Sequence, residues 1–139
     1  MEFIQIIIPE GFRMVGDRLP TTKGFLQEEI GKGVPSTRYS KAIIFDPNSI
    51  REINYSPGSH RYSAESAWGR EPDILIGGGW KLLHYSWLSL DYIVNRYSKV
   101  EARTSIRNKE LGLAHDYAKT LSQLKREYQL YLRLRSKVL

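Results

Sequence analysis

Up to residue 88 the apolar positions come in short β-branched or alternating runs; from residue 89 onward they recur every three or four places. The first pattern suits strands and the second suits helices with one buried stripe. The pattern predicts an α/β chain in an α+β arrangement: a small mixed or antiparallel sheet in the N-terminal two thirds, then C-terminal amphipathic helices. The expected organisation is a single domain, 1–139, with a strand-rich part at 1–88, a long loop at 56–79, and a helical part at 89–139.

Residues 2–8 read as a buried strand ended by Pro9, and 12–15 as a second strand. Residues 16–24, with two glycines and a proline, read as loop. Residues 25–30 suit one or two helical turns, with Leu26 and Ile30 on one face and Gly31 and Gly33 as stops. A connector at 34–37 leads into a strand at 41–45. Asp46-Pro47-Asn48-Ser49 is a tight turn, because proline presets one backbone angle and Asp and Asn bond their own backbone. A strand at 50–55 follows, with Ile53 and Tyr55 on one face. The polar, glycine-rich stretch 56–79 reads as loop, with a brief apolar Ile74-Leu75-Ile76, and 82–85 as a strand. Ser89 caps a helix whose stripe is Leu90, Ile93, Val94, Tyr97 and Val100. Residues 108–112 interrupt it, ending at Gly112. A last helix from about residue 117 carries Leu121, Leu124, Tyr128, Tyr131 and Arg135 along one side.

Composition narrows the class. Hydrophobic residues make up 41% of 139, enough for a core and too many for a disordered chain. No apolar run approaches the roughly 18 residues of a membrane span, and the first residues lack a basic leader. With no cysteine, disulfides and thiolate metal sites are excluded, and a reducing cytoplasm fits, with the chain soluble or peripheral to a membrane. From Tyr117 to Leu139 six cations stand against Glu127 alone, so +5 of the net +6 lies in the tail. Such a tail attracts anionic partners, or is simply a solvated helix face.

Candidate chemistry centres on histidine. His60 follows Pro57-Gly58-Ser59, where glycine permits close backbone approach and an imidazole can bind metal or phosphate or move a proton. An exposed loop histidine is the plainer alternative. His84 sits in the apolar run Leu82-Leu83-His84-Tyr85, where a hydrogen-bonded core histidine is the plainer alternative. His115-Asp116 begins the last helical segment. Gly77-Gly78-Gly79 could cradle phosphate, but it lacks the lysine and Ser/Thr of a P-loop, so flexibility is the better reading. Asp46 and Asp91 could serve as carboxylate acids or bases, but structural roles as turn residue and helix cap are the better reading. The basic-aromatic signatures of nucleic-acid modules are not matched, so nucleic acid is not an expected partner.

The order of the blocks resembles the C-terminal half of bacterial family 2-like glycosyltransferases with the type-A fold. The likeness begins at Pro9-Glu10-Gly11-Phe12-Arg13-Met14. It is clearest in Lys41-Ala42-Ile43-Ile44-Phe45-Asp46-Pro47 and in Asn54-Tyr55-Ser56-Pro57-Gly58-Ser59-His60. It returns in Leu82-Leu83-His84-Tyr85-Ser86-Trp87-Leu88-Ser89-Leu90-Asp91-Tyr92. The chain departs from the family pattern at Ser59, at Ser86 and at Gly112-Leu113-Ala114.

The resemblance implies a partial type-A domain that supplies the acceptor side and closes over the donor diphosphate. It implies that His60, His84, Tyr85, Asn54 and Gly58 line substrate or diphosphate, with His84 the position matched to metal. The cofactor implied is Mn or Mg with a nucleotide sugar, bridging the diphosphate. The aspartate-rich metal motif belongs to an N-terminal half that is absent here, so the chain alone is expected to bind no cofactor and transfer no sugar. The expected partners are that missing half or a second copy of the chain, with nucleotide sugar and glycan acceptor in the full enzyme. The start at Met1 falls inside the expected domain, as in a truncated frame or one piece of a split enzyme. A non-enzymatic interaction module, binding a protein or anionic partner through its basic C-terminal helix, is the alternative.

Overall fold

The computed structural model describes residues 4–21, 24–56, 61–113 and 117–139. The chain is an α+β protein whose strand pairs, where registered, are antiparallel. It divides into two compact units, one of Met1–Phe12 with Pro35–His84, the other of Arg13–Val34 with Tyr85–Leu139.

In the first unit, β1 (Ile6–Val15) pairs with β3 (Ile44–Phe45) at Ile6↔Phe45 and Ile7↔Ile44. The β4–β5 hairpin (Ile50–Tyr55 and Tyr62–Ser66) runs from Ile50↔Ser66 to Tyr55↔Tyr62, with a bulge between Ile50 and Glu52. Ile6, Ala42 and Ile50 are buried together, and Ile8, Ile53, Tyr62 and Ala64 pack against them. Tyr55 Oη donates to the Ala42 carbonyl. Among the buried polar side chains, Gln5 is the most enclosed. Gln5, 1% exposed, donates through Nε2 to Ser49 O at 3.0 Å and accepts at Oε1 from Asp73 N at 3.1 Å. It holds three segments, since a buried amide is stable only when both ends are bonded. The expected turn at 46–49 is present. The Asp46 carboxylate accepts from the Ser49 hydroxyl and from Asn48 N, and these bonds hold its pKa below the usual 3.8.

Two expectations fail in this unit. The strand expected to stop at Pro9 runs on to Val15 as one element with the segment read as a second strand. Proline removes one donor, but its φ suits extended chain, so it does not force an end. The stretch 56–79 is not one loop either. It contains β5 and the first half of β6 (Ile74–Trp87). The triple glycine lies inside β6 with φ of 76°, 62° and 83°, so it builds an irregular strand rather than a free connector. A Cβ on Gly77 would come within 3.1 Å of Glu10 Oε1, and one on Gly78 within 2.7 Å of the Leu75 side chain.

In the second unit, β2 (Lys32–Pro35) pairs with β7 (Ser136–Lys137) at Lys32↔Lys137 and Gly33↔Ser136. The segment read as a connector is thus partly strand, followed by a 3-10 turn at Thr37–Tyr39 that belongs to the first unit. Helix α1 (Leu26–Glu29) is a single turn; Ile30 is buried beyond it, while Leu26 is exposed. Helix α2 (Leu90–Arg103) is capped by Ser89, whose Oγ accepts from Tyr92 N. The short α3 (Ile106–Glu110) follows. Helix α4 (Leu121–Leu134) opens on a capping box of Thr120 and Gln123. Val15, Trp87, Ile93, Leu124 and Tyr128 form this unit's core, and α2 packs on α4. Arg13 carries its guanidinium 5.0 Å from the Trp87 ring and 4.4 Å from the Tyr131 ring, while those rings meet edge to face at 4.8 Å. None of the helices among the described residues is long and apolar enough to cross a membrane.

Candidate functional site

The expected site residues are distributed unevenly. His60 and Gly58 lie outside the described residues. Asn54 is exposed on β4, opposite Ser63. His84 is half-buried on β6 in the first unit. Its ring stacks flat on Tyr39, with centroids 4.0 Å apart and planes within 9°. A neutral imidazole carries one donor and one acceptor nitrogen, both in the plane of the ring.

Tyr39 was not singled out by the sequence. It reaches His84 because residues 36–40 lie directly against β1 at Gly11. Ser36 N donates to Gly11 O at 2.8 Å, and Gly11 N donates to Ser40 Oγ at 3.0 Å. A Cβ at Gly11 would stand 2.3 Å from Tyr39 C and 2.4 Å from Ser40 N, so only glycine admits this approach.

Tyr85, the next residue, belongs to the second unit. Its Oη is buried with no hydrogen-bond partner among the described residues, and burial pushes the phenol pKa above 10.0. An orphaned buried hydroxyl is a costly feature that a bound polar group would relieve.

Among the described residues no three His, Cys, Asp or Glu side chains gather closely enough to hold a metal ion. Mn and Mg take mostly oxygen ligands, and His84 offers one nitrogen. A cavity of about 600 Å³ in the first unit is lined by Arg51, Glu65, Arg70 and Glu71 among others, and one of about 660 Å³ in the second unit by a different set. Neither is lined by Asn54, His84 or Tyr85. In the first unit the described part of the site offers an imidazole stacked on Tyr39, a group that can bind a ligand and move a proton.

Compared with known proteins, the chain matches no family model, no curated protein and no solved structure.

Proposed function

We propose that this chain is the acceptor-side, C-terminal portion of a nucleotide-sugar-dependent glycosyltransferase, and that it transfers no sugar by itself. The reading is supported by the ordered blocks through residues 41–60 and 82–92. The structural observation that carries it is the imidazole of His84, half-buried and clamped flat on Tyr39 at 4.0 Å. In this reading His84 binds the diphosphate of the donor, Asn54 serves the substrate, and any Mn or Mg is held chiefly by carboxylates of another chain or segment.

The test is a titration of the chain with uridine diphosphate, with and without Mn, followed by the His84 imidazole signal in NMR. His84→Phe assigns the signal and keeps the flat stack. A saturable shift of that signal is expected, with ligand-induced shifts of neighbouring residues lost in His84→Phe. No shift at millimolar ligand, or sugar transfer by the pure chain alone, would overturn the reading.

A second reading has its own observation. On α4 the buried side is Leu124 and Tyr128, which leaves Lys125, Arg126 and Arg133 exposed beside exposed Leu130 and Leu134. Arg126, Leu130 and Arg133 fall on one face at three-four spacing. That face suits an anionic protein or surface, and its binding would fall steeply with salt and survive His84→Ala.

A further inference from the structure

We propose that the second unit carries an oxyanion site that takes a phosphoryl group between Lys32 and Lys137. The cavity of about 660 Å³ is walled by the end of β1 and the loop after it, the end of α1, and strands β2 and β7. Its charged lining is Arg18, Lys32, Arg135 and Lys137 against Asp17 and Glu29. Both carboxylates are engaged. Arg135 Nη2 donates to Asp17 Oδ2 at 3.3 Å, which holds the Asp17 pKa low, and Thr21 N donates to Glu29 Oε2 at 3.0 Å. Lys32 and Lys137 have no carboxylate within ion-pair distance among the described residues.

The register is the second observation. Lys32 and Lys137 are direct partners across the antiparallel β2–β7 pair, so both side chains leave the same face. Like charges directly opposite each other weaken a strand pair. Strand β7 has only two residues, and one of them is this lysine. An anion bridging the two ammonium groups turns that repulsion into attraction. A phosphoryl group matches the demand: it carries up to two charges and several acceptor oxygens, and such charge-assisted bonds are strong. The cavity is larger than one phosphate, and Val15, Pro20 and Ile30 give it an apolar wall for the rest of a ligand. This inference shares no residue with the transferase reading.

The experiment titrates the full chain with inorganic pyrophosphate by calorimetry at low salt, and cosediments it with phosphatidylcholine vesicles with and without phosphatidic acid. Lys32→Gln with Lys137→Gln is the test variant. Saturable pyrophosphate binding is expected, weakened roughly tenfold in the double variant. The unliganded variant should melt no lower than the parent, because a repulsive pair has been removed. Binding only to phosphatidic acid vesicles, with the same loss in the variant, assigns the phosphoryl group to a lipid headgroup. Equal binding by parent and variant, or binding of neither probe by the parent, overturns the proposal. Should the double variant not fold, Arg18→Gln, in the loop outside any strand, must weaken binding severalfold; unchanged binding there overturns it too.

Discussion

The last helix is tied to the end of β1 by Arg135, which donates to the Val15 carbonyl at 3.0 Å, and by one buried hydroxyl. Tyr128, 5% exposed in the core with Val15, Trp87, Ile93 and Leu124, donates from Oη to the Gly16 carbonyl at 2.8 Å. Tyr128→Phe keeps the ring in place and removes only that donor. Gly16 is buried, so its carbonyl loses this bond without ready access to water. A net hydrogen bond is worth about 1 kcal/mol and an orphaned buried acceptor costs about 1–3 kcal/mol, so the expected loss is about 2 kcal/mol. For a chain of this length that lowers Tm by roughly 8 °C. All four α-helices of the described chain lie in the second unit, so ellipticity at 222 nm reads that unit selectively. Urea titration should show a lower midpoint with an unchanged m-value. A midpoint indistinguishable from the parent's would mean that the hydroxyl is not what holds α4 to residue 16.

The same atom gives a pH signature. Burial, with the charges of Asp17 and Asp91 adding and Arg135 opposing, raises the Tyr128 pKa above 10.0. The folded state therefore keeps this proton longer than the unfolded state does. Its contribution is complete below pH 10 and is lost as pH climbs through the folded value. The parent should lose stability above pH 10 more steeply than the Tyr128→Phe variant, so the two curves converge. Tyr62 and Tyr85, also raised by burial, affect both proteins alike.

Gly11→Ala drives a methyl into the backbone at Tyr39 and Ser40, 2.3 and 2.4 Å away, and should cost about 3 kcal/mol in a thermal melt. It should also move Tyr39 off the imidazole and shift the His84 ring protons downfield, because the stacked ring current is lost. Thr120→Ala removes the capping box, in which Thr120 Oγ1 accepts from Gln123 N and Gln123 Oε1 accepts from Thr120 N. A loss of about 1 kcal/mol at 222 nm is expected.

The helical third was legible because its signals are local. Ser89 stands at a helix start, and the stripes through Ile93 and through Leu124 and Tyr128 face the core, although the last helix opens at Leu121 after Thr120 rather than near residue 117. The β4 strand at 50–55 was equally plain, bounded by an Asp-Pro-Asn turn. The rest of the sheet was obscured by residues whose usual meaning was reversed. Pro9 and Gly11 lie within β1, the first tolerated by extended backbone and the second required by the close approach of residues 36–40. Three glycines that read as a flexible connector instead supply three positive φ angles inside β6. Propensity describes a residue's average surroundings, and these positions are set by a neighbouring segment.

Sites are harder still, because they are made by register. His84 was visible as a histidine in an apolar strand, yet nothing in its flanks points to Tyr39, which a 3-10 turn brings to it. Lys32 and Lys137 look like ordinary solvated charges, and no spacing relates residues 105 positions apart. Their antiparallel pairing places two unremarkable side chains opposite each other on the wall of a cavity. A fold tolerates such a pair more readily when a ligand can relieve it, and that is why we read this cavity wall as the place of a bound anion.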